Sequence, residues 1–114
     1  MSIGEDFARA VAAKDHDRVR ELLHPEVDFR GMTPNFIWEG DVIDTLEQWF
    51  EDSDVIEGVD ALDTDAFSDC ERVGYRFRLR DETGRHLVEQ QAYIRERDGR
   101  IGWLRIMCSG NRPA

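Results

Sequence analysis

The chain has 114 residues, enough for one hydrophobic core and too few for two. Its apolar fraction of 40%, with three Trp, two Tyr and six Phe, excludes a disordered chain. A formal net charge of −10 argues against nucleic acid and anionic membrane surfaces as partners, because both need a basic footprint.

The elements can be taken in chain order. Ser2-Ile3-Gly4-Glu5 has the form of a capping box. Ile3, Phe7 and Val11 follow at four-residue spacing, which predicts a first amphipathic helix. Asp15 or Asp17 is placed to cap a second, shorter helix that buries Val19, Leu22 and Leu23, and Pro25 ends it. Val27-Asp28-Phe29-Arg30-Gly31 alternates as a short strand, and Thr33-Pro34-Asn35 turns the chain. Asp41 caps a third helix, with Asp44 in its first turn and Val42, Ile43, Leu46, Trp49 and Phe50 on its apolar side. Beyond Asp54 the period becomes two. An irregular strand from Val55 to Phe67 precedes the clear alternation of Val73, Tyr75, Phe77 and Leu79. A turn at Asp81-Glu82-Thr83-Gly84, a strand from His86 to Arg97, a hairpin turn at Asp98-Gly99 and a last strand from Ile101 to Cys108 complete the pattern. The predicted core includes Phe7, Val11, Leu22, Leu46, Phe50, Val73, Phe77 and Ile106. Helices first and a strand meander after them predict an α+β domain over 1–114, with three N-terminal helices on an antiparallel sheet.

Charge is unevenly spread. Residues 51–71 hold nine acids and no Lys or Arg, and residues 72–112 hold ten arginines. Neighbouring strands that pair opposite charges on a solvated face would explain both blocks. Cys70 and Cys108 form no metal-ligand spacing and are expected to be reduced thiols. No apolar run approaches the roughly 20 residues of a membrane helix. The opening Met1-Ser2-Ile3-Gly4-Glu5-Asp6 lacks the basic and apolar blocks of a signal peptide, so a cytoplasmic location is expected.

Several local patterns occur in a telling order. They are Ala13-Lys14-Asp15-His16-Asp17 before Leu22-Leu23-His24-Pro25-Glu26-Val27, then Trp38-Glu39-Gly40, then Asp98-Gly99-Arg100-Ile101. Together they resemble the nuclear transport factor 2-like superfamily, and within it the SnoaL-like and ketosteroid-isomerase-like domains. Glu89-Gln90-Gln91-Ala92-Tyr93 with Cys108-Ser109-Gly110 is similar to an uncharacterised bacterial subgroup. The resemblance implies a strongly curved sheet forming a cone around a central apolar pocket. It also implies isomerase-type chemistry without metal or nucleotide cofactor, or ligand binding with no chemistry, and frequent homodimers that pair through the outer sheet face. Trp103 and Met107 on the last strand would form an exposed apolar patch in a lone monomer.

A ketosteroid-type isomerase needs a carboxylate base and two proton donors for the developing enolate. Aligned on the resemblance, the base position falls on Gly31, the first-helix tyrosine on Phe7, and the aspartate near Gln91 or Tyr93. Efficient ketosteroid isomerisation is therefore not expected. The remaining catalytic candidates are Glu89 and Asp28 as acid or base and Tyr93 as donor. If Phe29 faces the pocket, Asp28 reads as a surface or interface charge, and Glu89 reads also as an outward partner of an arginine on the preceding strand. Alternation leaves the fourth long strand undecided, and the resemblance turns Glu89, Gln91 and Tyr93 inward. The candidate ligand-binding set is Phe29, Trp38, Trp49, Tyr75, Gln91, Tyr93 and Cys108. Three classes follow: a small-molecule-binding domain for an apolar oxygenated ligand, a cofactor-independent lyase or isomerase using a pocket carboxylate, and a non-catalytic dimerisation module.

Overall fold

Capping side chains set the three helices. In the computed structural model, which describes residues 2–114, Ser2 Oγ accepts from the Glu5 amide at 3.1 Å and starts α1 (Ile3–Ala12). Asp15, rather than Asp17, accepts from the Arg18 amide at 3.1 Å and starts α2 (His16–Leu22). Asp41 accepts from the Asp44 amide at 2.9 Å at the head of α3 (Val42–Trp49). Each cap satisfies an amide that has no partner within the helix.

The strands are β1 (Leu23–Thr33), β2 (Phe36–Glu39), β3 (Val55–Ala66), β4 (Glu71–Asp81), β5 (Gly84–Arg97), β6 (Arg100–Cys108) and β7 (Arg112–Pro113). They form one sheet in the order β2-β1-β6-β5-β4-β3, with β7 beside β5. The meander β3-β4-β5-β6 is antiparallel, as expected. Asp98 and Gly99 both take positive φ, 55° and 78°, in the β5–β6 turn that their sequence signals.

One pairing corrects the expected antiparallel sheet. β1 runs parallel to β6, with Phe29 opposite Leu104 and Gly31 opposite Ile106, so the sheet is mixed. Hairpin turns force antiparallel neighbours, but β1 and β6 are joined through five intervening elements, which leaves direction free. Two strands lacked a sequence signal. β2 is short with both faces largely exposed, and β7 is two residues pairing with the stretch of β5 that β6 does not reach.

The helices bury their apolar sides against one face of this sheet, and all eight predicted core residues are buried. The acidic and basic blocks meet on β3 and β4. Arg72 pairs with Asp63 and Asp65 at 3.1 and 2.6 Å, and Arg78 with Asp60 at 2.6 Å. Among the described residues, no helix is long and apolar enough to cross a membrane. Both cysteines are free.

Candidate functional site

The strand period decides which side chains meet the helices. Val88, Gln90, Ala92 and Ile94 are buried on β5, and Val73, Tyr75, Phe77 and Leu79 on β4. Glu89, Gln91 and Tyr93 therefore point to the opposite, outer face, which reverses the inward orientation expected for them. Enclosing Val88, Ala92 and Ile94 gains apolar burial, whereas the other register would bury an ionised glutamate. Glu89 forms an ion pair with Arg112 of β7, not with an arginine of β4. Asp28 also lies on the outer face, exposed and 3.1 Å from Arg105.

The inner face keeps the other candidates. At one end of the core a recess of about 120 Å³ opens between Thr33, Trp49, Phe50, Val88, Cys108, Gly110 and Asn111. Trp49 ends α3, and its ring lies over Gly31, where an added Cβ would stand 2.6 Å from Cη2. Phe29 reaches the same spot, its ring edge 3.1 Å from that Cβ position. Trp38 meets Trp49 edge to face at 6.1 Å between centroids, and its Nε1 donates to Thr33 Oγ1 at 2.8 Å. The structure thus gathers Phe29, Trp38, Trp49, Tyr75 and Cys108 on the inner side, and sends Asp28, Glu89, Gln91 and Tyr93 outward.

Behind the recess runs a buried polar chain. The Tyr75 hydroxyl donates to Gln90 Oε1 at 2.7 Å, and Gln90 Nε2 donates to Cys108 Sγ at 3.4 Å. Gln90 is 2% exposed and was not singled out in the sequence, although its apolar neighbours at two-residue spacing mark the inner face. Thr33 and Asn111 were missed as well, because both lie in turn-like sequence, Thr33 at the end of β1 and the exposed Asn111 just before β7. Burial, with the nearby Cys108 second, raises the Tyr75 phenol well above its ordinary value, so it stays protonated. One donor in this region is unused: the buried Trp49 Nε1 has no acceptor. No carboxylate or imidazole of the described residues lines the recess. This arrangement can offer apolar contact and hydrogen-bond donors, and it supplies no base that is ionised near neutrality.

No protein-family model matches the sequence, and no curated protein is similar to it by sequence. Solved structures do match its fold. A proposed isomerase from Rhodopseudomonas palustris superposes with a TM-score of 0.75 at 17% identity, covering 96% of this chain and 91% of that one. An LEH-like epoxide hydrolase of M. tuberculosis gives 0.69 at 18% identity, covering 94% and 80%. A proposed SnoaL-like polyketide cyclase from Mesorhizobium loti gives 0.61 at 16% identity, covering 93% and 98%. At such identities the likeness concerns the fold.

Proposed function

We propose that this chain, whose fold is that of the SnoaL-like proteins of the nuclear transport factor 2-like superfamily, is a small-molecule-binding domain. Its curved sheet would act as the cone of that fold, and the recess beside Trp49 as the mouth of its pocket. The preferred ligand is apolar with one oxygen acceptor. The observation that carries this reading is the unpartnered, buried Trp49 Nε1 on a side chain that walls an otherwise apolar recess. A buried donor without acceptor is costly, and a ligand carbonyl or ether oxygen would relieve that cost once the ligand displaces the Trp49 ring enough to uncover its N–H. The volume of about 120 Å³ suits a compact molecule or one end of a longer one.

The acid–base alternative has less support, since Asp28 and Glu89 do not line the recess. The test uses the Trp49 indole N–H resonance in ¹⁵N-labelled protein titrated with cyclohexanone, and with methylcyclohexane as the oxygen-free control. Cyclohexanone should shift that resonance saturably and methylcyclohexane should not. An unmoved indole resonance, or equal responses to both, rejects the reading.

A homodimer belongs to the same proposal, as does the cytoplasmic location. Its centre would be Trp103, whose ring within one chain is contacted by the guanidiniums of Arg95 and Arg105 at 4.3 and 4.5 Å from its centroid. Those contacts cover much of the ring that the sequence led us to expect as an open patch. Met107 remains 41% exposed. Light scattering that gives 13.3 kDa at micromolar concentration would reject the dimer.

A further inference from the structure

The outer face holds a groove of about 580 Å³, remote in its chemistry from the apolar recess. Its wall includes Arg72, Gly74, Arg76, Glu89, Gln91 and Met107. Among the described residues, every arginine lies within ion-pair distance of a carboxylate except Arg76 and Arg100. Arg100 is exposed beside a turn, where water solvates it. Arg76 is half-buried in β4, and its Nε is buried with no acceptor.

Strand register makes this unusual. Arg76 stands opposite Asp60 on β3 and Glu89 on β5, the two acids that should pair with it. Both are taken. Asp60 Oδ2 accepts from Arg78 Nε at 2.6 Å, and Glu89 pairs with Arg112. Gly74 keeps the space beside Arg76 clear for a second clamp: a Cβ there would lie 2.8 Å from Asp63 Oδ1, which Arg72 holds in place. The neighbouring acids are thus neutralised by other cations, and one guanidinium is left facing an open groove. A partly desolvated, unpaired guanidinium is costly, and an anion relieves that cost.

We propose that this groove is a binding site for a small monocarboxylate, held by the Arg76 guanidinium. Its planar fork matches a carboxylate with two parallel hydrogen bonds. Arg72 on the same wall is already paired with Asp63 and Asp65, which leaves Arg76 as the one unpaired guanidinium of the groove, so a single negative charge matches it and a dianion would be left half-neutralised. The exposed Met107 side chain offers apolar contact to a short alkyl body. Groove and recess share Cys108, but Arg76 does not line the recess, so the test does not depend on that reading.

The probe is sodium butyrate, followed at the Arg76 Nε–H resonance of ¹⁵N-labelled protein, assigned with Arg76→Lys. Sodium chloride at matched ionic strength and inorganic phosphate are the controls. Butyrate should move this resonance saturably and raise the melting temperature, phosphate should bind more weakly, and chloride should do neither. Arg76→Gln should melt no lower than the wild type without ligand and should lose about 10- to 100-fold in butyrate affinity, the size of a lost charged hydrogen bond. A silent Arg76 resonance, tighter binding of phosphate, or an unchanged butyrate response in Arg76→Gln each overturns the proposal. A resonance that follows protein concentration but not butyrate also overturns it, and identifies a second copy's carboxylate as the occupant instead.

Discussion

Tyr75 and Gln90 are a matched pair in a dry environment, so removing one partner should cost more than removing both. Tyr75→Phe leaves Gln90 Oε1 without its donor and should destabilise by about 1–3 kcal/mol. Tyr75→Phe with Gln90→Leu should cost less than Tyr75→Phe alone, and urea denaturation of the three proteins measures this. The same phenol sets an alkaline limit. Its folded-state pKa is raised, so its stabilising effect is complete below about pH 10 and is lost as the unfolded chain ionises above that, by up to about 1.4 kcal/mol per pH unit. Tyr75→Phe should flatten that part of the stability profile between pH 9 and pH 11. Gly31 makes a different point. The family resemblance aligns it with the position of an isomerase's base, but only the structure shows why no side chain fits there: the Trp49 ring already occupies the space. Gly31→Ala should destabilise by about 1–3 kcal/mol through overpacking, read as a lower denaturant midpoint. Gly31→Asp with Phe7→Tyr should consequently yield no conjugated enone from a β,γ-unsaturated ketosteroid, since the carboxylate has no room to project.

At the level of elements, the caps and the Asp98-Gly99 turn were legible because their chemistry is local. The orientation of β5 was less so, because one buried amide, Gln90, interrupts an otherwise apolar face, and polar Gln91 and Glu89 compete with it in the pattern. Lys14 was not legible at all. In the sequence it is one lysine among arginines. In the fold its Nζ donates to the Glu51 and Asp54 carbonyls at 2.6 and 2.7 Å, tying the turn between α1 and α2 to the loop after α3. Lys14→Ala should cost about 1–2 kcal/mol in chemical denaturation and should loosen that loop in hydrogen exchange. The β4–β5 turn carries its own network. Thr83 donates to Asp81 from both hydroxyl and amide, at 2.7 and 2.8 Å, and His86 adds a contact at 3.1 Å. The Thr83 hydroxyl chiefly, with the Thr83 amide and His86, holds the Asp81 pKa below the ordinary carboxylate value. Any stability this confers is present above that ordinary value and is lost as pH falls through the lowered one. Thr83→Ala should move the Asp81 titration, followed by carboxyl NMR shift, upward toward the ordinary range.

For the whole molecule, class and core were readable because apolar periodicity reports burial. The seam between β1 and β6 was not, because nothing local encodes which distant strand a sequence will adjoin. That seam also sets the order in which the chain can assemble. Along β3 to β6 each strand meets its successor through a turn, so pairing there closes short loops. Phe29 must find Leu104 across most of the chain, and closing so long a loop is entropically slow until both surfaces exist. We therefore predict that β1 docks after the meander has formed, and with it Gly31 and Thr33. Kinetic analysis of Val73→Ala and Ile94→Ala should give φ-values well above those of Phe29→Leu, whose effect should fall mainly on the unfolding rate. A comparable φ-value at Phe29 would place the seam in the nucleus. Late docking also means that the wall of the recess formed by Thr33 is completed at the end of folding, and that the edge of β6 stands open until β1 covers it. Through that interval β6 presents a bare row of amides and carbonyls to any extended chain it meets, so crowding during refolding should lower the yield most steeply in variants that slow the arrival of β1.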